Sequence, residues 1–298
     1  MEELSDILAR LEASLGQVSG GPTPLKGGIT NHNFRVTLGG TDYVVRLPGK
    51  DTGLLGINRE TERLATEAAA DLGIAPAVAA ALEDCLVTRF IACTPVSAQE
   101  LADGVEEIAS ALRRFHDCGV RLPARFRVPE LLEDYAAVIR GRGGALPDGY
   151  EEAAAIAARI EGALPVSDPR PCHDDLLGGN IIRAQDDGRM LIVDWEYAGM
   201  GDPRFDLGNL SINNDFDEAA DERLLSAYYG EAPTDARRAA LSLMRVLSDA
   251  REAAWSAVQA TVSELDFDFV HYGGEHFERL RAAVEQPHFA EWLAAAAG

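Results

Sequence analysis

Cysteine is scarce in this sequence, and the four that occur are scattered at Cys85, Cys93, Cys118 and Cys172. No two of them have the close spacing of a zinc site or a redox motif. This pattern favours reduced thiols, as in the cytoplasm, over a disulfide framework. No apolar run reaches the length of a membrane span, and no early apolar run follows basic residues. We therefore expect no transmembrane helix and no signal peptide.

Positive charge is also scarce. The chain has 27 Lys and Arg against 49 Asp and Glu, a formal net charge of −22, and its only lysines are Lys26 and Lys50. An acidic excess of this size disfavours nucleic acid and anionic membrane surfaces as partners. It would raise the local concentration of a cationic substrate, or it serves solubility alone.

The 298 residues suffice for one large domain or for two lobes, each with its own core. Strand-like alternation dominates up to about residue 91, with a break at 20–24 and helices at 2–15 and 57–72. After residue 96 helical signals take over, and they predict these helices: 97–118, 129–140, 148–162, 217–229 and 235–263. We therefore predict an α+β, two-lobe fold. Residues 1–95 would form an N-terminal lobe with an antiparallel sheet, and residues 96–298 a mostly helical C-terminal lobe.

The most informative stretch runs from Cys172 to Asp206. Its spacing, His-x-Asp followed by Asn five residues later and by an Asp after the next apolar run, is that of a kinase catalytic loop. Asp175 would be the base that accepts the proton of an attacking hydroxyl. Asn180 and Asp194 offer the oxygen ligands that Mg²⁺ prefers beside nucleotide phosphates. Short motifs also occur by chance, but three matched positions and a following FDLGN make coincidence the poorer explanation.

Two neighbours of the base are assigned supporting roles. His173 is expected to support the loop rather than to react. Asp174 is out of phase with the pattern, and we expect it to be solvated or to cap the loop.

A glycine-rich turn precedes the second strand. Gly28, Thr30 and Asn31 lie in this turn, whose backbone N–H groups could approach phosphates closely because glycine has no Cβ. Such a turn alone more often joins a hairpin. Arg46, inside the next strand, could hold the phosphates by two parallel hydrogen bonds. Glu62, on the following helix, is the predicted ion-pair partner of Arg46.

The alternatives for this pair are a surface strand residue and an ordinary solvated helix face. Farther along, backbone groups near Phe90 and Ile91 could bind the edge of an adenine at the hinge between lobes. A cleft between two lobes is a natural place for a ligand.

Taken together, these motifs resemble the choline/ethanolamine kinase family, within the wider aminoglycoside phosphotransferase group of protein-kinase-like folds. The matching stretches, in family order over about residues 25–272, are GGITNHNFRV, YVVRLPG, INRETE, CHDDLLGGN, IVDWEYAGMGDPRFDLGN and WSAVQATVSELDFDFVHY. The resemblance implies ATP and Mg²⁺ as cofactors and a small, cationic, hydroxylated amine as substrate. It also implies that Asp206 is structural and ties down the catalytic loop.

The resemblance further implies a pocket for the amine. Tyr197 matches the family's aromatic residue just past the metal-binding Asp, and Trp255 matches one of two pocket tryptophans. The other tryptophan position falls on Glu252, whose carboxylate would suit a primary ammonium. Glu196 is a further candidate. Aromatic faces and carboxylates are what bind a cation that lacks N–H donors, although plain core packing is an equal alternative for Trp255.

The sequence therefore predicts an ATP- and Mg²⁺-dependent kinase that phosphorylates the hydroxyl of an amino alcohol, choline first or ethanolamine. Two alternatives stay open. One is an aminoglycoside or other amine or sugar phosphotransferase on the same fold. The other is a nucleotide-binding protein without catalysis.

Overall fold

A computed structural model describes residues 2–25, 31–50, 52–83, 85–263 and 265–297. Within these ranges, the helices are either too short or too polar to cross a membrane. The chain begins with one antiparallel sheet and continues as a mostly helical body, as the sequence predicts.

The N-terminal sheet has five strands in the spatial order β1-β2-β3-β5-β4, all antiparallel. The strands are β1 (Val18–Pro24), β2 (Asn31–Leu38), β3 (Thr41–Pro48), β4 (Val78–Leu82) and β5 (Cys85–Arg89). Helix α1 (Glu2–Leu15) buries Ile7 and Leu11 against Leu38, Val45 and Val87 of the sheet. This apolar contact fixes the outer face of the sheet.

The predicted break at 20–24 is wrong, because these residues lie within β1. The pairing of β1 with β2 shifts register between Ser19 and Thr23. Proline and glycine are tolerated there because β1 is an edge strand with a bulge. Both features leave backbone N–H groups outside the hydrogen-bond ladder, so a residue without an N–H does less harm.

Helix α2 (Arg59–Asp71) follows a 3-10 turn at Thr52–Leu55 and confirms the predicted helix at 57–72. The Asn58 side chain caps it by accepting the N–H of Thr61. The first turn of α2 places Glu62 next to β3, where the side chain is buried.

The rest of the chain forms nine helices within the described ranges: α3 (Ala98–Asp103), α4 (Val105–His116), α5 (Val128–Gly141), α6 (Tyr150–Ala163), α7 (Pro203–Asn213), α8 (Glu218–Tyr229), α9 (Asp235–Val262), α10 (Phe269–Val284) and α11 (Pro287–Ala296). Ser97 and Glu100 form a capping box at the start of α3. The single helix predicted at 97–118 is wrong, since Gly104 divides it. A Cβ at Gly104 would lie 2.3 Å from Met190 Cε, so the end of the Met190 side chain would have to shift.

Helix α9 is the centre of the C-terminal body. It packs against α5, α6, α7, α10 and α11, and its buried face includes Leu243, Leu247, Ala250 and Val258. Helix α7 was not predicted. The seven consecutive residues from Phe205 to Ser211 are all buried. The helix therefore lacks the alternation of a buried apolar face and an exposed polar face by which a helix is identified in a sequence.

Two small antiparallel sheets carry the functional loops. Strand β7 (Arg170–Cys172) pairs with β10 (Gly199–Gly201). Strands β6 (Cys93–Pro95), β8 (Ile181–Ala184) and β9 (Met190–Ile192) form the other sheet. The loop after β7 ends at Ile181 of β8, which pairs with Ile192 at the end of β9, so the loops after β7 and β9 meet at this pair of strands.

Candidate active site

The loop between β7 and β8 brings Asp175 and Asn180 together. Asn180 Nδ2 donates to the backbone oxygen of Asp175 at 2.8 Å and to its Oδ2 at 3.1 Å. A 3-10 turn at Gly178–Asn180 closes the loop and orients this side chain. The amide therefore anchors the proposed base through its nitrogen, which leaves the amide oxygen to serve as a ligand.

Asp194 lies two residues beyond the end of β9. The N–H of Val193 donates to the backbone oxygen of Asn180 at 2.9 Å, so the segments of Asn180 and Asp194 are directly connected. Asp194 has a φ of 65°, a left-handed conformation that Asp tolerates better than most residues. An amide oxygen and a partly exposed carboxylate on adjoining segments suit Mg²⁺, a hard cation that prefers oxygen ligands.

Arg46 links the sheet to this site. Its Nη1 lies 2.8 Å from Glu62 Oε1, which confirms the predicted ion pair, and 2.6 Å from Asp194 Oδ1. Burial opposes its charge, but the carboxylates of Asp194 and Glu62 raise the pKa of the guanidinium. Arg59 adds a second cation, with Nη1 2.7 Å from Glu62 Oε2.

His173 is buried and its Nε2 lies 3.0 Å from the backbone oxygen of Val193, a supporting position. The expectation that Asp174 is solvated or caps the loop is wrong. It is fully buried at a φ of 65°, and neither carboxylate oxygen has a hydrogen-bond partner in the described residues. Burial, together with the nearby Asp206, raises the pKa of Asp174 well above its ordinary value.

Arg251 on α9 is a residue that the motifs did not single out. It is 1% exposed, and its Nη1 donates to Asp175 Oδ1 at 3.0 Å and to Glu252 Oε1 at 2.5 Å. Burial raises the pKa of Asp175 to about 7, although the Arg251 charge opposes that rise. The signal was present in the sequence, because Arg251 interrupts the apolar stripe of Leu247 and Trp255.

The structure brings three of the four predicted substrate residues together. Trp255 Nε1 donates to Tyr197 Oη at 2.8 Å, and Arg251 lies over the Tyr197 ring at 4.4 Å. Glu252 is buried, however, and also accepts from Tyr272 Oη at 3.0 Å. The Glu252 carboxylate is therefore already paired with Arg251, and its predicted contact with a substrate ammonium stays a prediction.

Glu196 lies elsewhere, on the side of the sheet. Its Oε2 accepts from Asn31 Nδ2 at 2.8 Å and is 3.3 Å from Arg59 Nη1. Burial raises the pKa of Glu196 to about 7. It therefore belongs to the polar network around Arg46 and Arg59 rather than to the aromatic group.

The structure describes only some of the residues that were predicted to bind the nucleotide. Gly28 and Thr30 lie outside the described residues, whereas Asn31 is buried at the start of β2. The backbone N–H of Phe90 donates to the oxygen of Asp42 at 3.0 Å and is therefore engaged, whereas adenine binding by the other backbone groups near Phe90 and Ile91 stays a prediction. Ile91 is half-buried just after β5.

The sequence is similar to that of known phosphotransferases. A model of the phosphotransferase enzyme family matches residues 22–243. Protein LicA of Haemophilus influenzae is 27% identical over 209 residues, which cover 68% of this chain and 61% of that protein. The probable choline kinase 1 of Arabidopsis thaliana is 24% identical over 93% of this chain and 92% of that protein.

A solved structure extends the likeness to the whole chain. The choline/ethanolamine kinase family protein from Mesorhizobium loti is 32% identical, covers 99% of both chains and superposes with a TM-score of 0.81. The predicted two-lobe, protein-kinase-like fold is thereby confirmed, as is the predicted family resemblance.

Proposed function

Because the chain belongs to the phosphotransferase enzyme family and to its choline/ethanolamine kinase branch, we propose that it transfers the γ-phosphoryl group of ATP to the hydroxyl of a small amino alcohol. Choline and ethanolamine are the first substrates to test. The family makes the protein a phosphotransferase that acts on an alcohol; the nucleotide, the metal and the acceptor are the proposal.

The proposed function rests on one structural observation. Asp175, Asn180 and Asp194 come from two segments joined by a backbone hydrogen bond, and the Arg46–Glu62 pair reaches Asp194 from the sheet. This set contains a base, two oxygen ligands and a cation for phosphate. Phosphoryl transfer needs these parts and little covalent chemistry from the protein.

Each residue then has a defined task. Asp175 accepts the hydroxyl proton through Oδ2, while Arg251 and Asn180 hold its carboxylate in place. The acceptor oxygen bonds to the γ-phosphorus, the bond to the β–γ bridging oxygen breaks, and ADP leaves. Asn180 and Asp194 would hold Mg²⁺, which when bound neutralises charge on the phosphates. Arg46 binds phosphate oxygens and is itself oriented by Glu62.

The decisive experiment measures ADP release with ATP and Mg²⁺ over a panel of alcohols: choline, ethanolamine, other amino alcohols, thiamine and aminoglycosides. Turnover of a small amine that is absent from the Asp175→Asn variant supports the proposal. Turnover confined to aminoglycosides would assign the chain to the antibiotic-modifying branch instead. ATP binding without any phosphorylated product would contradict catalysis.

A further inference from the structure

Arg251 occupies the space where the amine of the substrate was expected. Its guanidinium carbon lies 4.4 Å from the centre of the Tyr197 ring, and its Nη1 contacts both Asp175 and Glu252. Aromatic faces and carboxylates are the groups that bind an organic cation. A cation therefore already fills this subsite, and it belongs to the protein.

The other groups of the subsite are engaged as well. The Tyr197 hydroxyl accepts from Trp255 Nε1, and the second oxygen of Glu252 accepts from Tyr272. A guanidinium stays charged at every physiological pH. A ligand such as choline, which has an ammonium but no carboxylate, would place a second positive charge beside Arg251 with no anion of its own to offset the repulsion.

Two donors of Arg251 remain unused. Nε and Nη2 are buried and have no hydrogen-bond partner in the part of the chain that the structure describes. These nitrogens form one edge of the planar guanidinium, and their N–H bonds point the same way. Two parallel donors match the two oxygens of a carboxylate, and a buried donor without a partner is rare in a native protein.

The net charge around Arg251 further restricts the chemical class of the ligand. Asp175, Glu252 and Arg251 together carry one negative charge when all are ionised. A carboxylate ligand without an ammonium would add to that excess, whereas an amino acid adds no net charge. Together with the unpaired Nε–Nη2 edge of Arg251, this favours a ligand with a carboxylate, an ammonium and the hydroxyl that Asp175 must reach.

We propose that the acceptor is a hydroxylated amino acid, whose carboxylate binds the Nε–Nη2 edge of Arg251 while its hydroxyl faces Asp175. This assignment rests on the proposed kinase function and narrows its substrate class. The chemistry is unchanged: the hydroxyl oxygen gains the phosphoryl group from ATP, ADP leaves, and the proton passes to Asp175.

Access to the buried edge requires one side chain to move. Tyr272 is half-buried, hydrogen-bonded to Glu252, and packed at 5.9 Å from the exposed ring of Phe267. Rotation of Tyr272 would break this hydrogen bond and the ring contacts of Tyr272 with Trp255 and His276.

The test compares substrates that differ only by a carboxylate. L-Serine is ethanolamine with a carboxylate on the carbon that bears the amine, and L-homoserine stands in the same relation to 3-aminopropan-1-ol. For the full chain with ATP and Mg²⁺, we expect kcat/KM to be at least about tenfold higher for the carboxylated member of a pair, the effect of losing one good charged contact. Calorimetric titration without ATP should show the same order of affinity.

Variants then assign the preference to Arg251. Arg251→Met removes the charge and the donors, and Arg251→Lys keeps the charge but loses the planar edge. Both should reduce the ratio of kcat/KM within a pair, the Met variant more, and the Met variant should use choline relatively better. Both members of a pair are measured with the same variant. A general loss of rate caused by disturbing Asp175 therefore affects both kcat/KM values equally and does not change their ratio. Arg245→Met, on the same helix but paired with Asp221, is the matched control and should leave the ratio unchanged.

The outcomes separate the two proposals. Equal use of both members of each pair, or a preference for the amine without a carboxylate, would overturn the role of Arg251 and leave the kinase function intact. A wild-type measurement alone gives this answer if the variants do not fold. No phosphorylation of any alcohol would contradict the kinase function, and the calorimetric ratio would still decide the ligand of Arg251.

Discussion

His116 Nε2 lies 2.9 Å from Asp206 Oδ2, and neither side chain is exposed to solvent. Asp206 also accepts the backbone N–H groups of His173 and Asp174, each at 2.8 Å. Burial alone would raise the pKa of Asp206, but the hydrogen bond and the charge of His116 lower it below its ordinary value. The backbone of the catalytic loop is therefore held by a carboxylate on α7, which is itself held by α4.

Removing His116 should loosen this connection. In His116→Phe, Asp206 keeps its backbone donors but loses its side-chain donor in a buried place. We expect the free energy of unfolding to fall by about 1–3 kcal/mol, measured by urea titration. His271→Phe, at an exposed histidine on α10, should change it by less than about 0.5 kcal/mol. Equal losses in the two variants would show that the His116–Asp206 contact is unimportant.

Asp175→Asn tests the base. The amide fills the same volume but cannot take a proton, so kcat should fall by about 10²- to 10⁴-fold. Binding of a non-hydrolysable ATP analogue, followed by calorimetry, should stay within a few-fold of the wild-type value, because Arg46 and Glu62 are untouched. An unchanged kcat would remove Asp175 from the mechanism.

The rate and the stability should depend on pH in opposite ways. Asp175 must be ionised to accept a proton, and its pKa is raised from 3.8 to about 7 by burial. The rate should therefore fall as the pH is lowered through about 7, and the matching inflection should be absent from the residual rate of Asp175→Asn.

Stability responds to the same groups with the other sign. The folded pKa values of Asp175 and Glu196 lie above their unfolded values. Their contribution is therefore fully present below the unfolded pKa values and is lost as the pH rises through about 7. Urea titrations across this pH range should show stability that declines up to about pH 7 and then levels off, and Glu196→Gln should flatten the curve. A rise in stability over that range would contradict the raised pKa values.

The sequence predicted correctly the residues of the candidate site that belong to short motifs. The spacing of Asp175, Asn180 and Asp194 predicted side chains that the structure places on adjoining segments, and the kinase pattern of a strand cation with a helix Glu predicted the contact of Arg46 with Glu62. Spacing alone did not decide between this ion pair and a solvated helix face.

Contacts between distant elements could not be predicted in this way. Arg251 is 76 residues from Asp175; its place in the apolar stripe of α9 indicates burial, but no local pattern indicates that it contacts the loop of Asp175. Asp174 was misjudged because an acidic residue is ordinarily solvated, whereas here the backbone turns it inward beside Asp206. Helix α7 was missed because burial on all sides removes the period that identifies a helix.

Glu62→Gln tests the network behind the phosphate site. Glu62 is 3% exposed and accepts from Arg46 and Arg59 at 2.8 and 2.7 Å. Loss of its charge should lower the free energy of unfolding by about 1.5–3 kcal/mol, the scale of a hydrogen bond to a charged group. Because Arg46 would lose its orientation, the KM for ATP should rise more than the KM for the acceptor. Glu60→Gln, at an exposed position on the same helix, should leave both KM values unchanged.

Gly208→Ala tests the contact between α7 and α9, on which the catalytic loop depends. A Cβ at Gly208 would lie 2.4 Å from Met244 Cβ and 2.7 Å from its carbonyl carbon, so the two helices must separate. We expect the free energy of unfolding to fall by about 1–3 kcal/mol. Helix α7 carries Asn209, whose Oδ1 accepts the N–H of Leu176 at 2.5 Å, so kcat should fall as well. Gly162→Ala, in α6 with no atom within 4 Å of the added carbon, should instead stabilise by about 0.5–1 kcal/mol. The same sign of change in both variants would mean that close packing of α7 on α9 does not hold the loop.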